Sequence, residues 1–144
     1  MQIRKIQAED TYALRHSILR PHQSIEQCYY PGDHDKKTGH FGAYVNNELV
    51  GILSIYEVSS DLLNHPQSWQ LRAMATKETV RGQGCGKALI DAVENYALNF
   101  GCNRIWARAR KEAIGFYKKS GYETIGAEFF VPDIGPHFLI QKLM

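Results

Sequence analysis

No apolar run in these 144 residues approaches the roughly 20 positions a helix needs to cross a bilayer, so a membrane-spanning helix is excluded. The opening residues Met1-Gln2-Ile3-Arg4-Lys5-Ile6 also lack the apolar centre of a signal peptide. Cysteine is scarce. Cys28, Cys85 and Cys102 are odd in number and form no metal-spaced pair, which argues against a disulfide framework and a metal centre. Reduced thiols in a cytoplasmic protein without a bound metal are the simplest reading. Neither sign of charge dominates: a formal net charge of +2 is too small to call for nucleic acid or an anionic membrane as partner. Internal repeats, low-complexity tracts and linkers are missing too. One domain over 1–144 follows, with 44% hydrophobic and 22% charged residues, large enough to bury a core without covalent staples.

Hydrophobic periodicity divides the chain into alternating elements. Residues 2–6 alternate and predict a first strand. Residues 8–20 place Ala13, Leu14, Ile18 and Tyr12 on one helical face, stopped by Pro21. A long irregular loop follows over 21–39, with Pro31-Gly32-Asp33 as a turn and a dense polar set of His22, Glu26, Asp33, His34 and Asp35. A loop of that length in a small domain is usually functional or mobile. Two strands over 40–45 and 48–57 flank an Asn46-Asn47 turn, which tolerates positive φ. After a loop over 59–68, residues 69–76 form a third strand of this group. Residues 84–100 predict a helix burying Leu89, Val93, Tyr96, Ala97 and Phe100, closed by Gly101. A strand over 104–109, a helix over 112–120 and strands over 122–130 and 137–143 complete the chain. The order β α β β β α β α β β is a mixed α/β domain. Its strand–helix–strand unit over 69–109 requires a parallel strand pair with a right-handed crossover.

The helix over 84–100 begins in Arg81-Gly82-Gln83-Gly84-Cys85-Gly86-Lys87. Strand, glycine-rich turn and helix N-terminus in that order make a receptacle for a phosphorylated ligand. Glycines let the backbone approach an anion, and the unpaired amides of the first helical turn point at it with the positive end of the macrodipole behind them. Two common glycine loops do not fit. The nucleotide-triphosphate loop G-x-x-x-x-G-K-[ST] would need glycine where Arg81 stands and Ser or Thr where Ala88 stands. The dinucleotide fingerprint G-x-G-x-x-G fails at Lys87.

The pattern [Q/R]-x-x-G-x-[G/A] is met by Arg81, Gly84 and Gly86. With the preceding strand Leu71-Arg72-Ala73-Met74-Ala75-Thr76, it resembles the coenzyme A loop of the GNAT superfamily of N-acetyltransferases. Downstream, Ala113-Ile114-Gly115-Phe116-Tyr117-Lys118-Lys119-Ser120-Gly121-Tyr122 is similar to the family's A-x-x-F-Y-x-x-x-G-[FY] segment. The resemblance covers residues 69–126. It implies a single-domain α/β fold with a mixed, mostly antiparallel sheet flanked by helices. A central parallel strand pair would splay apart around the pantetheine arm. The activity it implies is transfer of an acetyl group from acetyl-CoA to a primary amine, by direct attack in a ternary complex.

Such a transfer must fix the coenzyme, stabilise the oxyanion and move a proton from amine to leaving thiolate. By the resemblance, main-chain groups of Met74, Ala75 and Thr76 pair with the pantetheine amides, and an amide near Met74 faces the thioester oxygen. Gly82, Gln83, Gly84, Cys85, Gly86 and Lys87 would hold the pyrophosphate, with positive charge from Arg81 and Lys87. Phe116 serves as the buried aromatic of its block and, with Arg110, as a coenzyme contact. The family often has Asn at the Arg110 position, where a guanidinium could still donate. Tyr117 is the candidate acid: a phenol with a reference pKa of about 10 is protonated at neutral pH and can donate to a thiolate.

For the base, His137 stands in Asp133-Ile134-Gly135-Pro136-His137, which resembles the ending of one group of small GNAT proteins. Histidine titrates in the right range, but a lone histidine bonds backbone as readily. Glu26 is a further candidate in the long loop, with Asp33, Asp35, His34 and His40 competing. Cys85 at a helix N-terminus invites an acyl-cysteine, but it fills the variable position of the loop and is set aside. Lys111, Lys118 and Lys119 read as a solvated helix face. The acceptor is a small-molecule or protein amine; Tyr29 and Tyr30 in the 21–39 loop lean towards a pocket. A homodimer is admitted, and a non-catalytic coenzyme A sensor is the alternative to an enzyme.

Overall fold

Every residue from Val50 to Tyr56 is buried, and this run, apolar except at Ser54, makes an interior strand of one seven-stranded sheet. The computed structural model describes residues 1–63, 65 and 67–144. Strands β1 (Gln2–Ile6), β2 (Gly39–Val45), β3 (Glu48–Tyr56), β4 (Trp69–Thr76), β5 (Arg104–Arg110), β6 (Glu123–Val131) and β7 (Gly135–Leu143) lie in the order β1-β2-β3-β4-β5-β7-β6. All neighbours are antiparallel except β4 and β5. The expected α/β class with a parallel central pair is therefore the observed one. Asn46 (φ 51°) and Asn47 (φ 64°) turn the β2–β3 hairpin as their side chains predict. The loop expected over 59–68 includes residues 64 and 66, which lie outside the described residues.

Helix α2 (Cys85–Asn99) covers one face of the sheet and buries Leu89, Ile90, Val93 and Ala97 in the main core. Helix α1 (Ala8–Leu14) covers the other face, where Leu14 meets Ile52 and Ala75 in a smaller cluster. A short helix α3 (Ile114–Lys119) follows a 3-10 turn over Lys111–Ala113. None of the described helices is long and apolar enough to cross a membrane.

Two expectations need correction. The helix expected over 8–20 stops being α-helical at Leu14 and continues as a π-helix over Arg15–Leu19. The buried stripe of this segment is Ala8, Thr11, Leu14 and Arg15, which leaves Ala13 on the exposed side. Arg15 is 0% exposed because the loop after it supplies Asp33 as a partner. On α2, Phe100 is 47% exposed rather than buried, stacked on Trp69 with centroids 5.6 Å apart. Glu94 is buried instead, accepting from the Tyr122 hydroxyl at 2.9 Å and Lys142 at 3.0 Å.

Candidate active site

Strands β4 and β5 pair only at Trp69–Ile105 and Gln70–Trp106, then separate. Just beyond that point β4 is bulged. Ile52 faces Ala75 and Ser54 faces Arg72, so Ala73 and Met74 stand together against Leu53. Ala73 has φ 63°, left-handed backbone that costs a non-glycine residue about 1 kcal/mol or more. A bulge breaks the ladder locally and releases main-chain polar groups. Here it does so beside a cleft of about 300 Å³ that Ala73 and Met74 line. Phe116 and Tyr117 from α3, His137 from β7 and Arg20 after the π-helix complete its walls.

The glycine turn opens α2. Gly82 (φ 78°) and Gly84 (φ 82°) need their left-handed conformation, and a Cβ on either would meet nothing within 4 Å, so the space beside the turn is open. Gly86 serves contact instead: a Cβ there would lie 2.9 Å from the Phe116 ring. Within this segment the Arg81 amide bonds Glu78 O, the Gln83 amide bonds Val80 O and the Ala88 amide bonds Gly84 O. No side chain among the described residues caps the helix. The amides of Gly82, Gly84, Cys85, Gly86 and Lys87 have no main-chain acceptor among the described residues, leaving five donors at the positive end of a 15-residue helix. Gln83 differs: its amide is taken, and its side chain donates to Thr79 O at 3.2 Å. Arg81 and Lys87 are exposed, in surface pairs with Glu78 (3.8 Å) and Asp91 (3.0 Å) too weak to withhold them from a ligand.

Cys85 points inward and is 2% exposed, its Sγ against Gly51. Burial pushes its thiol pKa up, against the lowering expected at a helix N-terminus. Only its amide faces the open side.

Tyr117 is 7% exposed, its ring edge-to-face with Phe116 and Tyr122. Burial pushes its pKa up to about 12, and its hydroxyl has no hydrogen-bond partner among the described residues. His137 is 6% exposed, with Nδ1 2.9 Å from the Gly135 carbonyl oxygen. A carbonyl only accepts, so Nδ1 carries a hydrogen, and in the neutral ring the lone pair is on Nε2. Met74, Arg110, Phe116, Tyr117 and His137 thus share one cleft, with Arg110 donating to Leu19 O at 2.9 Å. Ala75 and Thr76 continue β4 past the bulge.

Glu26 is not brought to this place. It is exposed on the 3-10 turn Ile25–Cys28 and takes no part in the cleft wall. Its competitors are engaged elsewhere: His34 pairs with Glu9 at 2.7 Å, and His40 with Ser54 Oγ at 2.7 Å and Asp33 O at 2.8 Å. Both Asp33 oxygens are taken by Arg15 (2.8 and 3.1 Å), the Tyr56 hydroxyl (2.6 Å) and the Tyr30 amide (2.9 Å). Among the described residues no group of three or more His, Cys, Asp or Glu side chains is placed to hold a metal ion.

Of the two loop tyrosines expected to lean towards a pocket, Tyr30 walls the cleft and Tyr29 does not; sequence reasoning missed Arg20 and Arg72, which also wall it. Arg72 was visible as a cation inside an apolar strand. The bulge at Ala73 had no signal, since alanine does not announce positive φ.

A model of the acetyltransferase (GNAT) family matches residues 2–122. The chain belongs to that family. It is 39% identical over 144 residues to an uncharacterized N-acetyltransferase of Bacillus subtilis, YitI, spanning 100% of this chain and 97% of the relative. Among solved structures, an aminoglycoside 6'-N-acetyltransferase complexed with coenzyme A aligns with TM-score 0.77 at 14% identity, over 99% of this chain and 97% of that one. A spermidine N-acetyltransferase, a chimera from Vibrio cholerae and hSSAT, aligns with TM-score 0.71 at 16% identity, over 99% and 96%. These two likenesses establish the fold. Membership of the GNAT family makes the chain an acyl-CoA-dependent N-acyltransferase, and the open glycine turn with its unpaired amides fits a coenzyme diphosphate.

Proposed function

We propose that the chain transfers an acetyl group from acetyl-CoA to a primary amine by direct attack in a ternary complex. One observation carries this reading: the strand parting at Gln70, the bulge at Ala73, a buried phenol and an imidazole with a free Nε2 all border the same cleft. The amides of Gly82, Gly84, Cys85, Gly86 and Lys87 would receive the diphosphate, assisted by the Arg81 and Lys87 charges. Main-chain groups of Met74, Ala75 and Thr76, on the side of β4 that β5 has left, would take the pantetheine amides, with Phe116 and Arg110 beside them. The bulge supplies the donor for the developing oxyanion.

In the transfer, an N–C bond forms as the C–S bond breaks. The amine proton leaves to His137 Nε2, and the departing thiolate is met by the Tyr117 hydroxyl. A phenol near 12 is protonated throughout; complete donation to a thiolate whose acid is near 8.5 costs about 5 kcal/mol. Tyr117 therefore stabilises the sulfur chiefly by hydrogen bonding. Glu26 has no part in this scheme. A single domain over 1–144 and a cytoplasmic setting belong to the same reading, supported by three buried free thiols.

Calorimetric titration with acetyl-CoA, followed by thiol release in the presence of amines, tests it. Saturable uptake with amine-dependent thiol release is expected. Uptake without release from any amine would make the chain a coenzyme-binding regulatory module.

A further inference from the structure

The cleft is walled by four arginines, Arg20, Arg72, Arg108 and Arg110, and no Asp or Glu is among its described lining residues. None of the four enters any of the eight ion pairs found among the described residues. Their partners are neutral. Arg20 donates to the Tyr30 hydroxyl at 3.1 Å, Arg110 to Leu19 O, and Arg108 lies 5.5 Å from the Trp106 ring centroid. Arg72 is half-buried and, among the described residues, has only aromatic faces beside it, Tyr30 at 4.2 Å and Tyr56 at 6.0 Å. A guanidinium removed from water with no anion opposite it is costly.

Arg15 shows the contrast. It stacks on the same Tyr30 ring at 4.3 Å, yet it holds Asp33 in a bidentate pair. Asp33 has no oxygen left for Arg72. The coenzyme diphosphate is not the missing anion either. Leu71 packs in the core beneath α2, so its neighbour Arg72 projects to the opposite face, where Tyr30, Tyr56 and Leu19 lie; the glycine turn belongs to α2.

We propose that the acceptor is a primary amine that also carries an oxyanion, a carboxylate or phosphate-type group a few bonds from its nitrogen, held by Arg72 with Arg20, Arg108 and Arg110 around it. The proposal rests on the N-acetyltransferase reading and narrows its substrate. A guanidinium fork matches such a group with two parallel hydrogen bonds. A polycationic amine would instead meet like charge on every side.

The test uses acetyl-CoA and matched amines: amino acids beside their amides, aminoalkyl phosphonates beside their neutral esters, and spermidine and kanamycin as polycations. Thiol release should give the anionic member of a pair a kcat/KM higher by about 10- to 100-fold. The carboxylate and phosphonate arms tell which oxyanion is preferred. Arg72→Met should erase the preference by raising KM for the anionic amine, with Arg72→Lys restoring part of it. Should Arg72→Met not fold, Arg108→Met, on an exposed side chain, should weaken the same preference. Equal or better turnover of amides, esters or polycations overturns the proposal, as does a preference unchanged in these variants. So does failure of every anionic amine with a protein that binds acetyl-CoA by calorimetry, an outcome that leaves the coenzyme site standing. Absence of acetyl-CoA uptake removes both readings.

Discussion

Tyr117 and His137 divide the proton work by what each can still offer. Tyr117 keeps its proton because burial disfavours the phenolate. In its neutral form His137 offers the lone pair of Nε2, because the Gly135 carbonyl holds the hydrogen on its other nitrogen. Tyr117→Phe retains the ring contacts with Phe116 and Tyr122 and removes only the hydroxyl. It should lower kcat by about 10-fold or more with little change in acetyl-CoA affinity; undiminished steady-state turnover would remove Tyr117 from the mechanism. His137→Gln should lower kcat/KM by about 100-fold, read with the same thiol-release assay. These residues were legible in the sequence for different reasons. Tyr117 sits in a block of fixed spacing, whereas His137 earned its place only when the structure put it in the cleft. Glu26 and Arg72 show the limit of residue-level reading. Both are ionisable groups in plausible segments, and only strand register and loop path send one into the cleft and the other to solvent.

At the scale of elements, the turn before α2 and the bulge in β4 both depend on left-handed backbone, but the chain meets the demand differently. Gly84 meets it with glycine, and its letter was readable. Gly84→Asp would place a β-carbon at φ 82° and a carboxylate among five unpaired amides, and should abolish acetyl-CoA binding by calorimetry. Ala73 meets it with strain, and nothing in its letter said so. Ala73→Gly should therefore leave thermal stability unchanged or raise it by about 1 kcal/mol, where glycine in a regular strand would lower it; a clear loss in a melting experiment would refute strain at this position. The element order was legible because strands with a period of two and helices near 3.6 alternate cleanly. The π-helix over Arg15–Leu19 was not, because it abandons both periods.

Across the whole molecule, one buried polar network ties the first helix to the centre of the sheet. Arg15, fully buried, donates to Asp33, Ser54, Tyr56 and the Cys28 carbonyl, and Ser54 passes its hydroxyl hydrogen to His40 Nδ1 while His40 Nε2–H meets Asp33 O. The sequence could not display this assembly, since its members come from α1's continuation, the 21–39 loop and two strands. Removing one ionic partner strands the other: Arg15→Met should cost about 3–5 kcal/mol in chemical denaturation. The network also sets the direction of pH dependence. Burial, helped by the Arg15 charge, holds His40 below its ordinary pKa, although its bond to Asp33 O acts the other way. Burial alone would raise Asp33, but the Arg15 and Tyr56 hydrogen bonds outweigh it and hold Asp33 below the ordinary carboxylate value. Both groups bind protons more readily unfolded than folded, so each withdraws stability as pH falls. His40 acts first, from about pH 6.5 downward, and Asp33 below about pH 3.9. The melting temperature should therefore drop in two stages on acidification. His40→Gln, which can still donate to Asp33 O but cannot titrate, should flatten the first stage and leave the second. A wild-type melting temperature that stays level from pH 7 to 5, or a first stage unaltered in the variant, would show that His40 titrates alike in both states.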